Sequence, residues 1–336
     1  MTAGAPPTVA FTIGDPNGIG IEVLAGALAD ERIAGICTPV VVGNIRVMRE
    51  YLAALPHAAA SIAEDHLLIA GRSIPIVDIA SQARLALGVI DPLAGRLAGD
   101  AIIHATRMAI DGEVDAVVTM PISKRAIAEG GHHFPGHTEL IASMTGGTPL
   151  MILMTEGMRV GLLTIHIPLA SVPATITRAL VVDRVRQLDR SLRFDFGLVA
   201  PRMAMLGLNP HAGEDGLLGR EEVETIAPAL GMLRADGIGV EGPFPADGFF
   251  ARFTPGEYDG ILACYHDQGL IPLKFFARGG GVNFTANLPI VRTSPDHGTA
   301  FAIAGRGIAD AQSTIEATIA AAAITLARRS AGEELP

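Results

Sequence analysis

The stretch Gly260-Ile261-Leu262-Ala263-Cys264-Tyr265-His266 is a short apolar run that ends in a histidine. Runs of this length are typical of strands buried on both faces of a parallel sheet. The same arrangement occurs over Gly161–His166 and over Met203–His211. Ligands of open α/β sheets bind beyond the carboxyl ends of the strands. Three imidazoles delivered to one such edge would suit a divalent metal with one coordination position left open.

Strand-like and helix-like segments alternate around these runs over most of the chain. Thr8–Ile13 is predicted to be the first strand, Gly14–Gly20 a turn, and Pro92–Ile110 a helix capped by Asp91. This alternation predicts an α/β fold with a largely parallel sheet and helices on both faces. Further strands are expected over 38–42, 114–119, 149–154, 159–165 and 196–208, and further helices over 21–28, 221–235 and 313–328.

Length and composition narrow the classes of function. The 336 residues suffice for two α/β lobes or one large domain, and no apolar segment is long enough to cross a bilayer. The start of the chain has no basic, apolar leader, and the two cysteines, Cys37 and Cys264, lie in apolar surroundings. We therefore expect a cytoplasmic protein with reduced thiols. A net charge of −10 argues against binding to nucleic acid.

Each candidate residue also has a structural interpretation. A histidine at a strand end often serves only as a hydrogen-bonded residue, and His166, His211 and His266 do not show a short metal-ligand spacing. Asp247 and Asp267 would complete a metal shell or orient a ligand, or else lie as solvated loop carboxylates. The glycines of the turn over 14–20 do not match the dinucleotide fingerprint, so a tight turn is the favoured interpretation.

Basic residues gather late in the chain, at Lys274, Arg278 and Arg292. Lys274 and Arg292 have apolar neighbours in sequence, which favours partial burial. A buried cation requires an anionic partner, and phosphate is the anion that Lys and Arg side chains commonly hold. The sequence therefore predicts a site for an anionic small molecule within an acidic protein.

Several long motifs occur in a fixed order and carry a family resemblance. They are Gly136-His137-Thr138-Glu139, the segments over 208–214 and 265–269, and Arg292-Thr293-Ser294-Pro295-Asp296-His297-Gly298-Thr299-Ala300. On these motifs the chain resembles the 4-hydroxythreonine-4-phosphate dehydrogenase family nearly end to end. The resemblance implies a fold of the isocitrate/isopropylmalate dehydrogenase type, with two α/β lobes around a cleft, and a homodimer with a shared active site. We place the first lobe, with the cofactor loop, at 1–134 plus 243–336, and the second lobe, with the dimer interface, at 135–242.

The resemblance also assigns roles to residues. It implies a divalent metal held by His166, His211 and His266, with zinc, cobalt and magnesium as the alternatives. The implied substrate contacts are His137, Thr138, Lys274, Asn283 and Arg292. The implied cofactor contacts are Asp296, His297, Gly298, Thr299 and Ala300, with NAD favoured over NADP. Asp247 and Asp267 are the candidate catalytic residues.

The expected reaction is metal-dependent oxidation and decarboxylation of 4-phosphohydroxy-L-threonine to 3-amino-2-oxopropyl phosphate, a step of pyridoxal phosphate biosynthesis. The chain departs from the family pattern at Gly248 and at Leu217-Leu218, where a polar residue and a histidine are usual. These departures keep other substrates open: a threonate or erythronate 4-phosphate, or an aromatic cis-dihydrodiol carboxylate. A non-catalytic metal- or nucleotide-binding protein on the same scaffold is the remote alternative.

Overall fold

The computed structural model describes residues 5–57, 59–134 and 136–332. The chain folds into two compact units. The first unit takes in the described residues up to Pro149 together with Leu288–Leu326, and the second takes in Leu150–Asn287 together with the described residues from Ala327 onward. No helix in the described ranges has both the length and the apolar character needed to cross a bilayer.

The strands of the first unit are ordered β13-β6-β1-β2-β5-β4-β3. β1 pairs in parallel with β2 and β6, β13 with β6, and β2 with β5, whereas β3, β4 and β5 form an antiparallel meander. The strands are β1 Thr8–Thr12, β2 Thr38–Gly43, β3 Ala60–Ala63, β4 His66–Ile69, β5 Arg72–Asp78, β6 Ala116–Thr119 and β13 Val291–Pro295. The helices are α1 Gly20–Ala29, α2 Ile45–Ala54, α3 Pro92–Ile110, α4 Lys124–Glu129, α5 His137–Thr145 and α11 Gln312–Ala331, of which α11 runs on past Leu326.

The core of the first unit shows why α3 forms where it was predicted. Asp91 accepts a hydrogen bond from the Ala94 amide, and Pro92 occupies the first turn, where its missing N–H costs nothing. Ala101 and Ala105 of α3 are fully buried against the sheet strands β1, β2 and β6. Small side chains on this face let the helix approach the sheet closely.

The strands of the second unit are ordered β10-β9-β11-β8-β7-β12. β11 lies between β8 and β9 and is parallel to both, β9 is parallel to β10, and β7 is antiparallel to β8 and β12. The strands are β7 Leu150–Thr155, β8 Met158–Leu162, β9 Met203–Leu206, β10 Val240–Phe244, β11 Gly260–Ala263 and β12 Val282–Ala286. The helices are α6 Val172–Thr175, α7 Arg178–Phe194, α8 Ala227–Ala235, α9 Ala246–Arg252 and α10 His266–Ala277, and one π-helical turn spans Glu222–Ile226.

The expected α/β class and largely parallel pairing are confirmed. The division of the chain differs from the expected one, because 243–287 belongs to the second unit and 135–149 to the first. The reason is strand pairing: β11 completes the sheet between β8 and β9, and β12 pairs with β7. The strand expected over 196–208 is confined to β9, because residues 195–202 form a turn and a loop between α7 and that strand.

Candidate active site

The three candidate metal ligands follow three adjacent parallel strands. β8 ends at Leu162, β9 at Leu206 and β11 at Ala263, and His166, His211 and His266 come after these ends in turn. Because β11 pairs in parallel with both neighbours, the three loops leave the same edge of the sheet. We call His166, His211 and His266 the histidine rim.

Side chains buried among these loops join them to one another. The Gln268 side chain accepts a hydrogen bond from the Cys264 amide and donates one to the Gly207 carbonyl, both at 2.6 Å. The Thr164 hydroxyl donates to the Cys264 carbonyl at 2.8 Å. The ends of β8, β9 and β11 are thereby held in register. Neither Gln268 nor Thr164 stands out in the sequence, although both lie within two residues of a candidate histidine.

The histidine rim is only partly assembled in the single chain. The rings of His166 and His266 lie 5.7 Å apart between centroids, inclined by 41°. Within residues 5–57, 59–134 and 136–332, no three histidine, cysteine or carboxylate side chains are grouped closely enough to hold a metal ion. The structure therefore brings two of the three candidate imidazoles together and does not join His211 to them.

The backbone around His211 has an uncommon conformation. His211, Ala212, Glu214 and Asp215 all have positive φ, between 43° and 55°. Each such residue costs roughly 1–2 kcal/mol, so other contacts must hold the loop. The Asn209 amide group donates to Glu221 at 2.7 Å and to Glu222 at 2.9 Å, and its backbone N–H donates to Glu222 at 2.7 Å.

His266 and Asp267 form a pair. The Nδ1 atom of His266 lies 2.7 Å from Oδ1 of Asp267. In the neutral imidazole this contact makes Nδ1 the donor and leaves the Nε2 lone pair available, which is the common arrangement of a metal-binding histidine. Asp247 and Asp267 also line one cavity of about 520 Å³, together with Tyr265 and Gln268.

The candidate substrate residues of the second unit differ in burial. Asn283 lies on β12, and its Oδ1 atom is buried without a hydrogen-bond partner among the described residues. Lys274 was expected to be partly buried but is exposed. The expectation was wrong because the adjacent Phe275 on α10 is itself 76% exposed, so apolar neighbours in sequence do not form an apolar wall here.

In the first unit, Arg292 is a fully buried cation. It lies on β13, is 1% exposed, and donates to the Thr119 hydroxyl from Nε at 3.1 Å and from an Nη atom at 2.6 Å. Burial lowers the pKa of Arg292 to about 10, while the negative charge of Glu139 acts in the opposite direction. The expectation that Arg292 is buried is confirmed.

His137 begins helix α5 and has one ring nitrogen without a partner. Its Nε2 atom is buried and has no hydrogen-bond partner among the described residues. Burial holds the pKa of His137 well below its usual range, and the charges of Arg292 and Lys124 lower it further. A hydrogen bond to the Met120 backbone acts in the opposite direction. Because the Met120 carbonyl takes the N–H at Nδ1, the neutral ring leaves Nε2 as an acceptor. We call Lys124, His137 and Arg292 the anion corner, next to which lie the half-buried Thr138 and the exposed Glu139.

The candidate cofactor loop, Asp296–Ala300, packs on the turn after β1. The Ile19 amide donates to the Thr299 carbonyl at 3.0 Å, and a Cβ built on Gly18 would lie 2.7 Å from the same oxygen. Ser313 donates to Asp296 at 2.8 Å, and Nε2 of His297 is buried without a partner among the described residues. Exposed Gly298 has no neighbour within 4 Å of a Cβ position, which leaves its backbone open to a flat ligand.

The same turn contains a buried acid that the sequence alone does not reveal. Asp15 is fully buried, accepts a hydrogen bond from the Asn17 amide at 3.0 Å, and keeps Oδ2 without a partner among the described residues. Burial raises the pKa of Asp15 to about 6, and the charge of Asp91 adds to the rise. No composition or spacing signal distinguishes such an acid from an exposed turn residue.

Comparisons with known proteins identify the family to which the chain is similar. The family model described as pyridoxal phosphate biosynthetic protein PdxA matches residues 35–321. A 4-hydroxythreonine-4-phosphate dehydrogenase from Bacteroides thetaiotaomicron is 42% identical over 309 residues, covering 91% of this chain and 85% of the relative. A D-threonate 4-phosphate dehydrogenase from Cupriavidus necator is 40% identical over 317 residues, covering 93% and 95%.

Solved structures give the same picture. A 4-hydroxythreonine-4-phosphate dehydrogenase from Klebsiella pneumoniae superposes with a TM-score of 0.84 at 40% identity, covering 95% of this chain and 99% of that one. A terephthalate 1,2-cis-dihydrodiol dehydrogenase from Burkholderia xenovorans superposes with a TM-score of 0.62 at 31% identity, covering 95% and 98%. Relatives with this fold are therefore named for more than one substrate.

Proposed function

We propose, from the premise that the chain belongs to the PdxA family of pyridoxal phosphate biosynthetic proteins, that it oxidises and decarboxylates 4-phosphohydroxy-L-threonine to 3-amino-2-oxopropyl phosphate with NAD as oxidant. The chain is a dehydrogenase that uses a nicotinamide cofactor and acts on a phosphorylated substrate. The observation that carries the proposal is Arg292, a guanidinium that is 1% exposed in an acidic protein. Such a buried cation is stabilised when an anionic group binds beside it.

The residues present suit a divalent metal at the histidine rim. Two imidazoles on one cation place their ring centroids about 5 Å apart, close to the 5.7 Å between His166 and His266. We assign His166, His211 and His266 as its ligands, with zinc, cobalt and magnesium as the alternatives. When bound, the metal would act as a Lewis acid toward the reacting oxygen of the substrate.

The protein side chains have separate roles in this proposal. Asp267 holds His266 with Nε2 available for the cation, which makes it a positioning residue. Asp247, in the first turn of α9, is exposed and lines the same cavity as Asp267, and it takes or gives the proton at the reacting centre. Two further groups orient the substrate, since the unpartnered Oδ1 of Asn283 accepts a hydrogen bond from it and Lys274 offers a positive charge.

The remaining assignments lie in the first unit. His137, Thr138 and Arg292 bind the substrate, and the loop Asp296–Ala300 binds NAD. An open backbone at Gly298 supports this role for the loop. The buried Nε2 of His297 supports it as well, because a polar atom without a partner is satisfied by a ligand.

A homodimer is part of the proposal. Leu217, Ile271 and Phe275 are 78%, 68% and 76% exposed in the second unit, and each is close in sequence to a histidine of the rim or on the helix that His266 begins. Ile271 and Phe275 line the same cavity, and large apolar side chains exposed together favour contact with a second copy. A shared site would also supply a histidine that the single chain does not bring to the others.

D-threonate 4-phosphate is the second candidate substrate, because a relative with that name is 40% identical over 93% of this chain. The test is a panel in which kcat/KM with NAD is measured for 4-phosphohydroxy-L-threonine, D-threonate 4-phosphate, D-erythronate 4-phosphate and a carboxylated cis-dihydrodiol. We expect kcat/KM for the first substrate to exceed the values for the others by at least about tenfold, because a site that hydrogen-bonds one substrate group rejects an analogue that lacks it. A larger kcat/KM for any other member would overturn the assignment of substrate.

A further inference from the structure

Lys124 is a free cation at the carboxyl end of β6. It begins α4 directly after Ser123, whose hydroxyl caps the helix by accepting a hydrogen bond from the Ala126 amide at 3.2 Å. Its side chain is exposed and makes no ion pair among the described residues. The next residue, Arg125, differs, because it pairs with Glu129 at 2.7 Å.

The aliphatic part of the Lys124 side chain lies beside the backbone of Gly136, which precedes His137. A Cβ built on Gly136 would lie 3.5 Å from Cε of Lys124 and 3.1 Å from Oε2 of Glu139. Lys124 and Arg292 both act electrostatically on the ring of His137. Three side chains from α4, α5 and β13 therefore converge on one small region of the first unit.

This region carries an excess of positive charge. Lys124 and Arg292 are cations, Glu139 is the acid that faces them, and His137 is neutral. Helix α5 adds the partial positive charge of its N-terminus, where Gly136 provides no side-chain cap. In a chain of net charge −10, such a region attracts an anion by local field alone.

The ring of His137 selects among anions. Its Nε2 atom is a buried lone pair without a partner among the described residues, so it needs a proton from whatever binds there. A carboxylate, with a pKa of about 4, has no proton to share near neutral pH. A phosphate monoester has a second pKa of about 6 and so shares one readily.

We propose that Lys124 is a further substrate-binding residue, which together with Arg292 and the Nε2 atom of His137 holds a phosphate monoester. This rests on the proposed function for the identity of the substrate, and it adds a residue that the family resemblance did not assign. Arg292 supplies a buried, fixed positive charge, and Lys124 supplies a point charge on an exposed side chain. A proton shared between phosphate and Nε2 favours a phosphate monoester over a plain carboxylate at this position.

Steady-state kinetics of Lys124→Ala on the metal- and NAD-supplied enzyme tests the proposal. We expect KM for 4-phosphohydroxy-L-threonine to rise roughly 10- to 50-fold, the loss of one charged hydrogen bond, with kcat within about threefold of wild type. Lys124→Arg should recover most of the loss. Arg125→Ala, on the same turn of α4, is the matched control and should leave KM unchanged. An unchanged KM in Lys124→Ala, or an equal rise in Arg125→Ala, would overturn the proposal.

A binding measurement separates this proposal from the proposed function. Inorganic phosphate should raise the melting temperature of the wild-type protein near pH 6.5 and sulfate, which carries no proton there, should raise it less. Lys124→Ala should lose most of the phosphate effect. If phosphate protects the wild type but not the variant while no substrate turns over, the proposed function fails and the role of Lys124 stands. Equal protection of both proteins would refute that role.

Discussion

The anion corner of the first unit and the histidine rim of the second differ in how far their functional side chains are exposed. Arg292 is 1% exposed, and Nε2 of His137 is buried. By contrast, the side chain of His266 is 38% exposed, and His166 and His211 are exposed as well. In the corner the protein alone fixes Arg292 and His137, by burial and by hydrogen bonds to Thr119 and Met120, whereas Lys124 is exposed. At the rim it fixes the strand ends and pairs His266 with Asp267, but among the described residues it does not group His211 with the other two rings.

The difference shows which features a fold can build without its ligand. A buried guanidinium has to be satisfied whenever the chain is folded, so its position is visible in the protein alone. Exposed imidazoles have water as a partner, so folding alone does not require the three rings to be grouped, although Asp267 already contacts His266. Mutations in the anion corner should therefore act by changing burial and charge, whereas mutations in the histidine rim should act by changing metal affinity.

Arg292→Ala should give the largest effect. Removing a fully buried guanidinium from the substrate site should cost about 3–4 kcal/mol of transition-state binding, so we expect kcat/KM for the phosphorylated substrate to fall roughly 150- to 900-fold. Arg292→Lys should recover part of this, since it restores charge without the planar fork. A loss smaller than tenfold in Arg292→Ala, with the melting temperature preserved, would mean that the corner does not bind the substrate.

Asp15→Asn tests burial in the same unit through pH. The folded pKa of Asp15, about 6, lies above the ordinary value of 3.8, so the folded state binds more protons between these values. Stability should therefore fall as pH rises from about 4 to 6, by at most about 3 kcal/mol, and Asp15→Asn should remove this slope. Denaturant unfolding from pH 4 to 8 measures it. Identical slopes in both proteins would contradict the burial of the carboxylate.

Asp267→Asn probes the rim. Without the carboxylate, the ring of His266 loses its orientation and basicity, and we expect metal affinity to fall 10- to 100-fold, as titration with a competing chelator would measure. The chain offers a matched control in Asp65→Asn, because Asp65 contacts His66 with the same 2.7 Å separation and belongs to the first unit. Equal metal affinity in the two variants would show that Asp267 has no special role.

Phe275→Ser tests whether a second copy covers the apolar side chains near the rim. We expect the dimer dissociation constant to rise about tenfold or more, since large apolar anchors dominate interfaces, and activity to fall as the protein is diluted. Light scattering over a dilution series measures the change. Met232→Ser, at a residue that is 51% exposed on α8, is the control and should leave the dimer intact. A monomeric wild-type protein would contradict the proposed shared site.

The sequence predicted the features that depend on local pattern. Helix α3 has the predicted bounds, because its cap and first-turn proline are local signals. The strand ends before His166, His211 and His266 followed from apolar runs alone. The unit boundary was not predictable in the same way, since it depends on β11 pairing between β8 and β9. The exposure of Lys274 was not predictable from its apolar neighbours in sequence, because adjacent residues of a helix lie on different faces.

The residues that the sequence does not reveal are defined by contacts between distant segments. In the sequence Lys124 is recognisable only as a residue that follows a predicted strand. Its proximity to His137 and Arg292 depends on how α4, α5 and β13 pack in the folded chain. Gln268 joins two strand ends that are separated by more than fifty residues. Such residues carry ordinary types at ordinary spacings, so no pattern distinguishes them before the fold is known.

The most direct test of the proposed function measures the formation of reduced nicotinamide from 4-phosphohydroxy-L-threonine and NAD. The protein is first stripped of divalent cations and is then resupplied with zinc, cobalt or magnesium. We expect negligible turnover after stripping and restored turnover with at least one of these ions, together with release of carbon dioxide. Equal turnover before and after stripping, or none with any ion, would contradict the proposed function.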